Sequence, residues 1–127
     1  MSSSSPDVPS GSPLPACPDT PNCEHTARSY SVAPEALFSA AQSALDALGP
    51  VELRVSPDAN RASAAYRVAF LFTDDVDVAV AAQEEGSVLY VRSASRVGHS
   101  DLGVNRRRVH RFFEAVTEAL EPASNQR

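Results

Sequence analysis

The sequence predicts an α+β fold of two layers, in which two helices pack on one face of a four-stranded antiparallel sheet in the order α-β-β-β-β-α. Three observations lead to this prediction. Apolar residues recur at helical spacing in two segments, around residues 34–48 and 102–120. The chain between them alternates apolar and polar residues in four segments. The connections between those segments are short, which favours antiparallel neighbours.

The first predicted helix begins at Pro34, because proline suits the first helical position, and ends before Gly49 and Pro50, which stop a helix. The second helix begins at Leu102 or Val104. Its first half carries four arginines, each unfavourable near the positive end of the helix dipole by roughly a few tenths of a kcal/mol. The apolar stripes comprise Phe38, Ala41, Leu45 and Leu48 in the first helix, and Val109, Phe112, Phe113, Val116 and Leu120 in the second.

The four predicted strands are Val51–Val55, Arg61–Phe72, Val76–Ala82 and Val88–Ser95. A polar turn at residues 56–60 separates the first two strands, and a hairpin turn at residues 84–87 separates the last two.

The composition narrows the possible functions. The 127 residues carry a formal net charge of −5, with 43% hydrophobic and 21% charged residues, values typical of one globular domain. The apolar content is too high for a fully disordered chain, and no run of eighteen apolar residues is present to insert into a membrane. Because the charge balance is acidic, we expect no nucleic-acid partner. All eleven positively charged residues are arginine.

The chain divides into three predicted parts. Residues 1–16 are rich in serine and proline and are predicted to form a disordered leader, because they cannot bury enough apolar area to offset their ordering entropy. Residues 17–120 form a single domain, and residues 121–127 form a flexible tail. The leader lacks the basic start and the apolar stretch of a signal peptide. We therefore expect a cytoplasmic protein, and we expect it to be a monomer.

The two cysteines, Cys17 and Cys23, lie in the short segment CPDTPNC, which two prolines stiffen. A disulfide between them is sterically possible and would stabilise weakly, because it closes a short loop. A reducing cytoplasm would keep both as thiols. A redox element is one hypothesis for the pair, and a metal site with His25 and His99 is another. The spacing differs from that of common zinc sites, so we assign no metal and treat both cysteines as structural residues.

The segment richest in functional residue types joins the last predicted strand to the last helix, from Arg92 to Arg108. A helix N-terminus offers free N–H groups and a positive dipole end, and adjacent guanidinium groups add charge, so a phosphate, sulfate or carboxylate could bind there. The predicted ligand-binding residues are Arg92, Arg96, Ser100, Asp101, Asn105, Arg106 and Arg108. The predicted structural residues, besides the two cysteines, are Asp74, Asp75, Gly98 and Gly103.

Internal pairing without a ligand is the alternative interpretation of this segment. Arg92 or Arg96 would bond an aspartate across the sheet with both donors of its guanidinium fork. The partner would be Asp75 or Asp77. Asp101 would hold the start of the helix by accepting backbone N–H bonds.

An enzymatic function is a further possibility. Asp74, Asp75 and Asp77 could bind a divalent cation together with His99. Histidine, serine and aspartate, the residue types of a catalytic triad, follow one another at residues 99–101. Adjacent residues rarely converge on one reacting atom, however. We therefore assign no catalytic residue and no cofactor, and the preferred function is a binding or accessory module for a small anionic ligand or a protein partner.

Three stretches of the sequence carry a family resemblance. They are CPDTPNC at residues 17–23, FTDDV at residues 72–76 and RSASRVGHSDLGVNRRRV at residues 92–109. Together they resemble the DUF1499 family, whose domain would span about residues 17–120. The resemblance implies no transferable activity, because the family has none established. The family-like positions are Cys17, Pro18, Pro21, Asn22, Cys23, Asp74, Asp75, Arg92, Ser95, Arg96, Gly98, Ser100, Asp101, Gly103, Asn105, Arg106 and Arg108.

Overall fold

The computed structural model describes residues 9–18, 22–68, 72–96 and 103–121. Its elements are β1 (Cys23–Tyr30), α1 (Pro34–Ala47), β2 (Glu52–Ser56), a 3-10 turn (Pro57–Ala59), β3 (Arg61–Val68), β4 (Phe72–Gln83), β5 (Gly86–Ser95) and α2 (Val104–Leu120). This content confirms the predicted α+β class and both helices. Neither helix of the described chain is long and apolar enough to cross a membrane.

The sheet has five strands rather than the predicted four, and the additional strand is β1. All neighbours are antiparallel, in the order β1-β5-β4-β3-β2. β1 carries Glu24, His25, Thr26 and Arg28, so it lacks the apolar alternation that marks a half-buried strand. Its position explains this composition, because an edge strand is held by backbone pairing with one neighbour and tolerates charged side chains.

The predicted strand Arg61–Phe72 is divided in the structure. β3 ends at Val68, and Phe72, its register partner, already begins β4. Phe70, which was expected in the same strand, lies outside the described residues. The apolar residues continue from Val68 to Phe72 without a glycine or a proline, so the pattern alone does not mark where β3 ends and β4 begins.

Both helices pack in one hydrophobic core with every second residue of the central strands. The strand residues of this core are Ala62, Ala64, Tyr66, Val76, Val78, Val80, Leu89 and Val91. The largest helix residues in it are Leu37, Phe38, Leu45, Phe112 and Phe113. Each fully buried large side chain contributes roughly 1.5–3 kcal/mol. We call the face of the sheet that carries these strand residues the helix side, and the face of the alternate residues the outer face.

Residues 9–18 partly cover the outer face. Leu14 is 4% exposed and packs with Val88 and Tyr90. The Tyr90 hydroxyl donates a hydrogen bond of 3.1 Å to the Ser10 carbonyl. Packing therefore reaches into the segment that is predicted as a leader, while the limits of leader, domain and tail stay a prediction.

The start of α2 positions the arginine-rich segment. The helix begins at Val104, one of the two predicted starts, and Gly103 precedes it with a φ of 83°. Glycine adopts this left-handed value at little cost. The Arg107 N–H donates to the Gly103 carbonyl at 3.0 Å and closes the first turn. Asp101, the predicted cap, lies outside the described residues, as does Ser100.

Candidate functional site

The sheet separates the predicted ligand-binding residues into two groups. Asn105 and Arg108 extend from α2 to the helix side, where they are 1% and 7% exposed. Arg92 and Arg96, at the end of β5, line a cleft on the outer face. Because the sheet lies between the two groups, their side chains do not converge on a common ligand.

The group on the helix side centres on Arg108 and Asp74. Arg108 Nη1 donates to Asp74 Oδ2 at 2.7 Å and to Asn105 Oδ1 at 3.1 Å. The Ser93 hydroxyl donates to the same Asn105 oxygen at 2.5 Å. Buried opposite charges balance each other only while both partners are present and hydrogen-bonded.

Asn105 extends this buried group to the start of β1. Its Nδ2 donates to the Asn22 carbonyl at 3.0 Å and to Ser95 Oγ at 3.1 Å. The Ser95 N–H donates to the same Asn22 carbonyl at 3.1 Å. One amide side chain therefore joins α2, the end of β5 and the residue before β1.

Tyr66 adjoins the buried group on the side of α1. The Arg108 guanidinium lies over its ring, 5.2 Å from the centroid, and the Tyr66 hydroxyl donates to the Leu45 carbonyl at 2.7 Å. Burial raises the pKa of Tyr66 to about 12, although the charge of Arg108 acts in the opposite direction. The contacts of Arg108 with Asp74, Asn105 and Tyr66 are thus all internal to the fold.

The outer face carries an open cleft of about 300 Å³. Its lining residues are Glu52, Arg54, Ser63, Ala64, Ala65, Asp75, Asp77, Arg92 and Arg96. Three of these are arginines and three are acids, so the formal charges of the lining cancel. A second cavity, of about 360 Å³, shares Arg54, Ser63 and Asp77 with the cleft and adds Arg61.

Four of the six charged side chains in the cleft form two exposed ion pairs. Arg96 binds Asp75 with two hydrogen bonds, of 2.9 and 3.0 Å, and Arg54 binds Glu52 at 2.6 Å. The hydrogen bond and the charge of Asp75 raise the pKa of Arg96 above its usual range. The Arg96–Asp75 pair confirms the interpretation of internal pairing for these two residues.

Arg92 and Asp77 are the remaining charged residues of the cleft. They are register partners across β4 and β5, but the ion pairs of the described chain do not include them. Arg92 Nη2 makes one long bond to the Ala16 carbonyl, at 3.4 Å, and its buried Nε has no hydrogen-bond partner among the described residues. Burial raises the pKa of Asp77, while the charge of Arg92 lowers it and that of Asp75 raises it.

The three aspartates of the hypothetical cation site do not converge. Asp74 binds Arg108 on the helix side, whereas Asp75 and Asp77 line the outer face. In the described ranges, no group of three or more His, Cys, Asp or Glu side chains could hold a metal ion. His99 lies outside these ranges.

Cys17 and Cys23 form a disulfide, with their Cα atoms 5.7 Å apart. The disulfide links residues 9–18 to the first residue of β1. His25, the proposed third metal ligand, lies with Nε2 2.8 Å from the Ser12 hydroxyl. A role of the cysteine pair as a redox element stays a hypothesis.

Arg106 belongs to neither of these two groups. Arg106 is exposed on α2, and Gly98 lies outside the described chain, like Ser100 and Asp101. Glu52, Arg54 and Ser63 in the cleft and Ser93 in the buried group are not found by sequence reasoning. Alternation with apolar residues indicates that Glu52 and Arg54 face away from the core, but the register that brings them to Asp75 and Asp77 is not readable from one strand.

A family model and two solved structures are similar to the chain. The family model described as "Protein of unknown function (DUF1499)" matches residues 13–116. No curated protein has a significant match to the chain. Among solved structures, protein CV1439 from Chromobacterium violaceum has a TM-score of 0.51 at 13% identity, covering 79% of this chain and 95% of that chain. Protein TTHA0849 from Thermus thermophilus has a TM-score of 0.45 at 14% identity, covering 81% of this chain and 99% of that chain. The likeness to CV1439 concerns the fold alone.

Proposed function

The chain belongs to the DUF1499 family of proteins of unknown function, and from this premise we propose a function on the geometry of the outer face. The protein is a non-catalytic binding module whose cleft holds a small polar ligand with one anionic group. That group is a carboxylate or a phosphate, which the forked donors of a guanidinium recognise.

The observation that carries this proposal is that Arg92, unlike the other two arginines of the lining, has no carboxylate partner among the described residues. Its buried Nε lacks a hydrogen-bond partner in the described chain, and an unsatisfied buried donor costs about 1–3 kcal/mol. Because this atom is closed to solvent, the Arg92 side chain turns toward the cleft in this proposal, and an anionic oxygen of the ligand then removes that cost. The guanidinium groups of Arg96 and Arg54 are held by carboxylates, whereas that of Arg92 has no carboxylate partner among the described residues.

Asp77 sets a second requirement for the ligand. It lies opposite Arg92 in the register and has no ion-pair partner among the described residues. A ligand with an amine or hydroxyl next to its acidic group would donate to this carboxylate. Because the formal charges of the lining cancel, a small zwitterion or hydroxy acid suits the cleft better than a polyanion does.

In this proposal the lining residues bind the ligand, and none of them is assigned a catalytic role. Nucleophilic catalysis needs a nucleophile activated by an adjacent base or by a lowered pKa. Ser63 supplies a hydroxyl, but the lining residues include no histidine or cysteine. In this proposal the buried pair of Asp74 and Arg108 has a structural role, because it fixes α2 to β4 on the helix side of the sheet.

Isothermal titration of the full chain with L-serine, L-lactate and inorganic phosphate, at constant ionic strength, tests the proposal. We expect L-serine or L-lactate to bind more tightly than phosphate, and Arg92→Ala to weaken that binding at least about tenfold, because charged hydrogen bonds are lost. The matched control is Arg111→Ala, an exposed arginine of α2 outside the cleft. If no probe binds, or if both variants bind equally well, the proposal is wrong.

A further inference from the structure

The outer edge of β2 is an unused pairing surface in the described chain. β2 is the last strand of the sheet, so one of its backbone edges has no strand beside it. The unpaired N–H and C=O groups of such an edge are a template for another strand. Val51 and Val55, at the two ends of this segment, are 56% and 38% exposed. By the alternation of a strand, the two valines share one face with Leu53, and a partner strand that covers them would remove their apolar surface from water.

We propose that this partner is β2 of a second copy of the chain, paired antiparallel about a two-fold axis at Leu53. Residues 51–55 read Val-Glu-Leu-Arg-Val, an order that is complementary to itself. The axis places Val51 opposite Val55 of the partner subunit. It places Glu52 opposite Arg54 of the partner subunit, and each of these contacts occurs twice.

The charges select the antiparallel arrangement. Opposite charges directly across two strands stabilise the pairing, whereas like charges destabilise it. A parallel pairing in register would set each Glu52 against another Glu52 and each Arg54 against another Arg54. Both side chains are accessible to a partner, since Arg54 is 77% and Glu52 is 47% exposed. Within one copy the two side chains already bind each other. Pairing of two copies would therefore join their two internal pairs into one network of four alternating charges.

The pairing also relates the two clefts. A two-fold axis perpendicular to the sheet keeps both outer faces on the same side and joins the two five-stranded sheets edge to edge. Glu52 and Arg54 line the cleft as well as the edge, so the two clefts become neighbours. The inference stands apart from ligand binding, and it differs from the monomer expected from the sequence.

Sedimentation equilibrium of the full chain over a wide concentration range tests the proposal by charge reversal. We expect the wild type to dimerise, and Glu52→Arg and Arg54→Glu each to raise the dissociation constant about tenfold, because each variant sets like charges opposite each other twice. An equimolar mixture of the two variants should dimerise again, since one carries positive charges at both positions and the other carries negative charges at both. The matched controls are Glu118→Arg and Arg111→Glu, exposed positions of α2.

Three results would overturn the proposal. The first is a wild type that stays monomeric at every concentration. The second is a dimer whose dissociation constant is the same in both β2 variants and in the α2 controls. The third is a mixture of Glu52→Arg and Arg54→Glu that associates no better than either variant alone. This last comparison holds even if one variant is less stable, and circular dichroism reports whether each is folded.

Discussion

The Arg108 guanidinium and the Asp74 carboxylate form a buried ion pair, with Nη1 2.7 Å from Oδ2 and side-chain exposures of 8% and 3%. Asp75, the next residue in β4, lies on the outer face and pairs with Arg96 in an exposed position. Two neighbouring aspartates therefore have different physical roles, one inside the fold and one at its surface.

We expect Asp74→Asn to lower the free energy of unfolding by about 3–5 kcal/mol, because it leaves the charge of Arg108 buried without its carboxylate. Urea unfolding measures this change. Asp75→Asn is the matched control, and its effect should be much smaller because exposed ion pairs contribute little. Equal losses in the two variants would contradict the placement of these aspartates on opposite sides of the sheet.

The pH dependence of stability should contain a contribution from Asp77. Burial raises its pKa in the folded protein above the ordinary value of 3.8, so the unfolded chain releases this proton at a lower pH than the folded chain does. The stability associated with the protonated carboxyl is therefore fully present below pH 3.8 and is lost as the pH rises through the raised pKa. Asp77→Asn, which cannot ionise, should melt above the wild type at pH 7.

Thermal melting at pH 7 and at about pH 4 checks this expectation, because the advantage of Asp77→Asn should shrink at the lower pH. Asp58→Asn, in the exposed 3-10 turn, provides the same change of net charge. A variant Asp77→Asn that melts below the wild type at pH 7 would refute the argument.

Reduction of the disulfide between Cys17 and Cys23 should destabilise the protein. The loop-entropy model gives roughly 2 kcal/mol for closing a loop of this length. We expect the reduced wild type and Cys17→Ser/Cys23→Ser to lose about that amount, with reductant having no effect on the double variant. Thiol titration in denaturant should find no free thiol in the untreated protein. Two reactive thiols with and without reductant would rule out the disulfide and, with it, the redox hypothesis.

Gly86 should tolerate no side chain. Its φ is 145°, and a Cβ at this position would overlap the Tyr30 carbonyl oxygen of the neighbouring strand β1. Gly86→Ala should therefore lower the free energy of unfolding by more than about 2 kcal/mol, through backbone strain and displacement of β1. Gly49→Ala is the matched control, because Gly49 has a φ of 77° but open space around it. Urea unfolding should show the smaller loss at Gly49, and the reverse order would disprove the close approach of β1 and β5.

Helices and central strands can be predicted here because burial imposes a period on their side chains. Phe112 and Val116 are one helical turn apart, and both are buried in the core. Val76 and Val78 are likewise both buried, at the two-residue spacing of a strand. β1 has no such period, because most of its side chains are polar. Its place in the sheet depends on backbone pairing with β5, which the sequence of β1 alone does not reveal. The strand is recognisable only when its partner is known.

The grouping of the site residues is harder to predict from the sequence than the fold is, because neighbouring side chains along a strand point to opposite faces of the sheet. Asp74 and Asp75 are adjacent in the chain, and Arg92 and Arg108 belong to one continuous motif. The sheet nevertheless assigns Asp74 and Arg108 to the helix side, and Asp75 and Arg92 to the outer face. Proximity in the sequence therefore groups residues that the fold separates.

β1 pairs with β5, a strand that is synthesised much later than β1. The Ser87 hydroxyl bonds the Val32 carbonyl across 55 residues, and Asn105 reaches the Asn22 carbonyl across 83 residues. A ribosome delivers about 5–20 residues per second, N-terminus first, so the emerging β1 segment waits on the order of several seconds for β5. Charged side chains hinder the pairing of an exposed strand with foreign chains. We therefore expect the charged side chains of β1 to hinder aggregation of the nascent polypeptide.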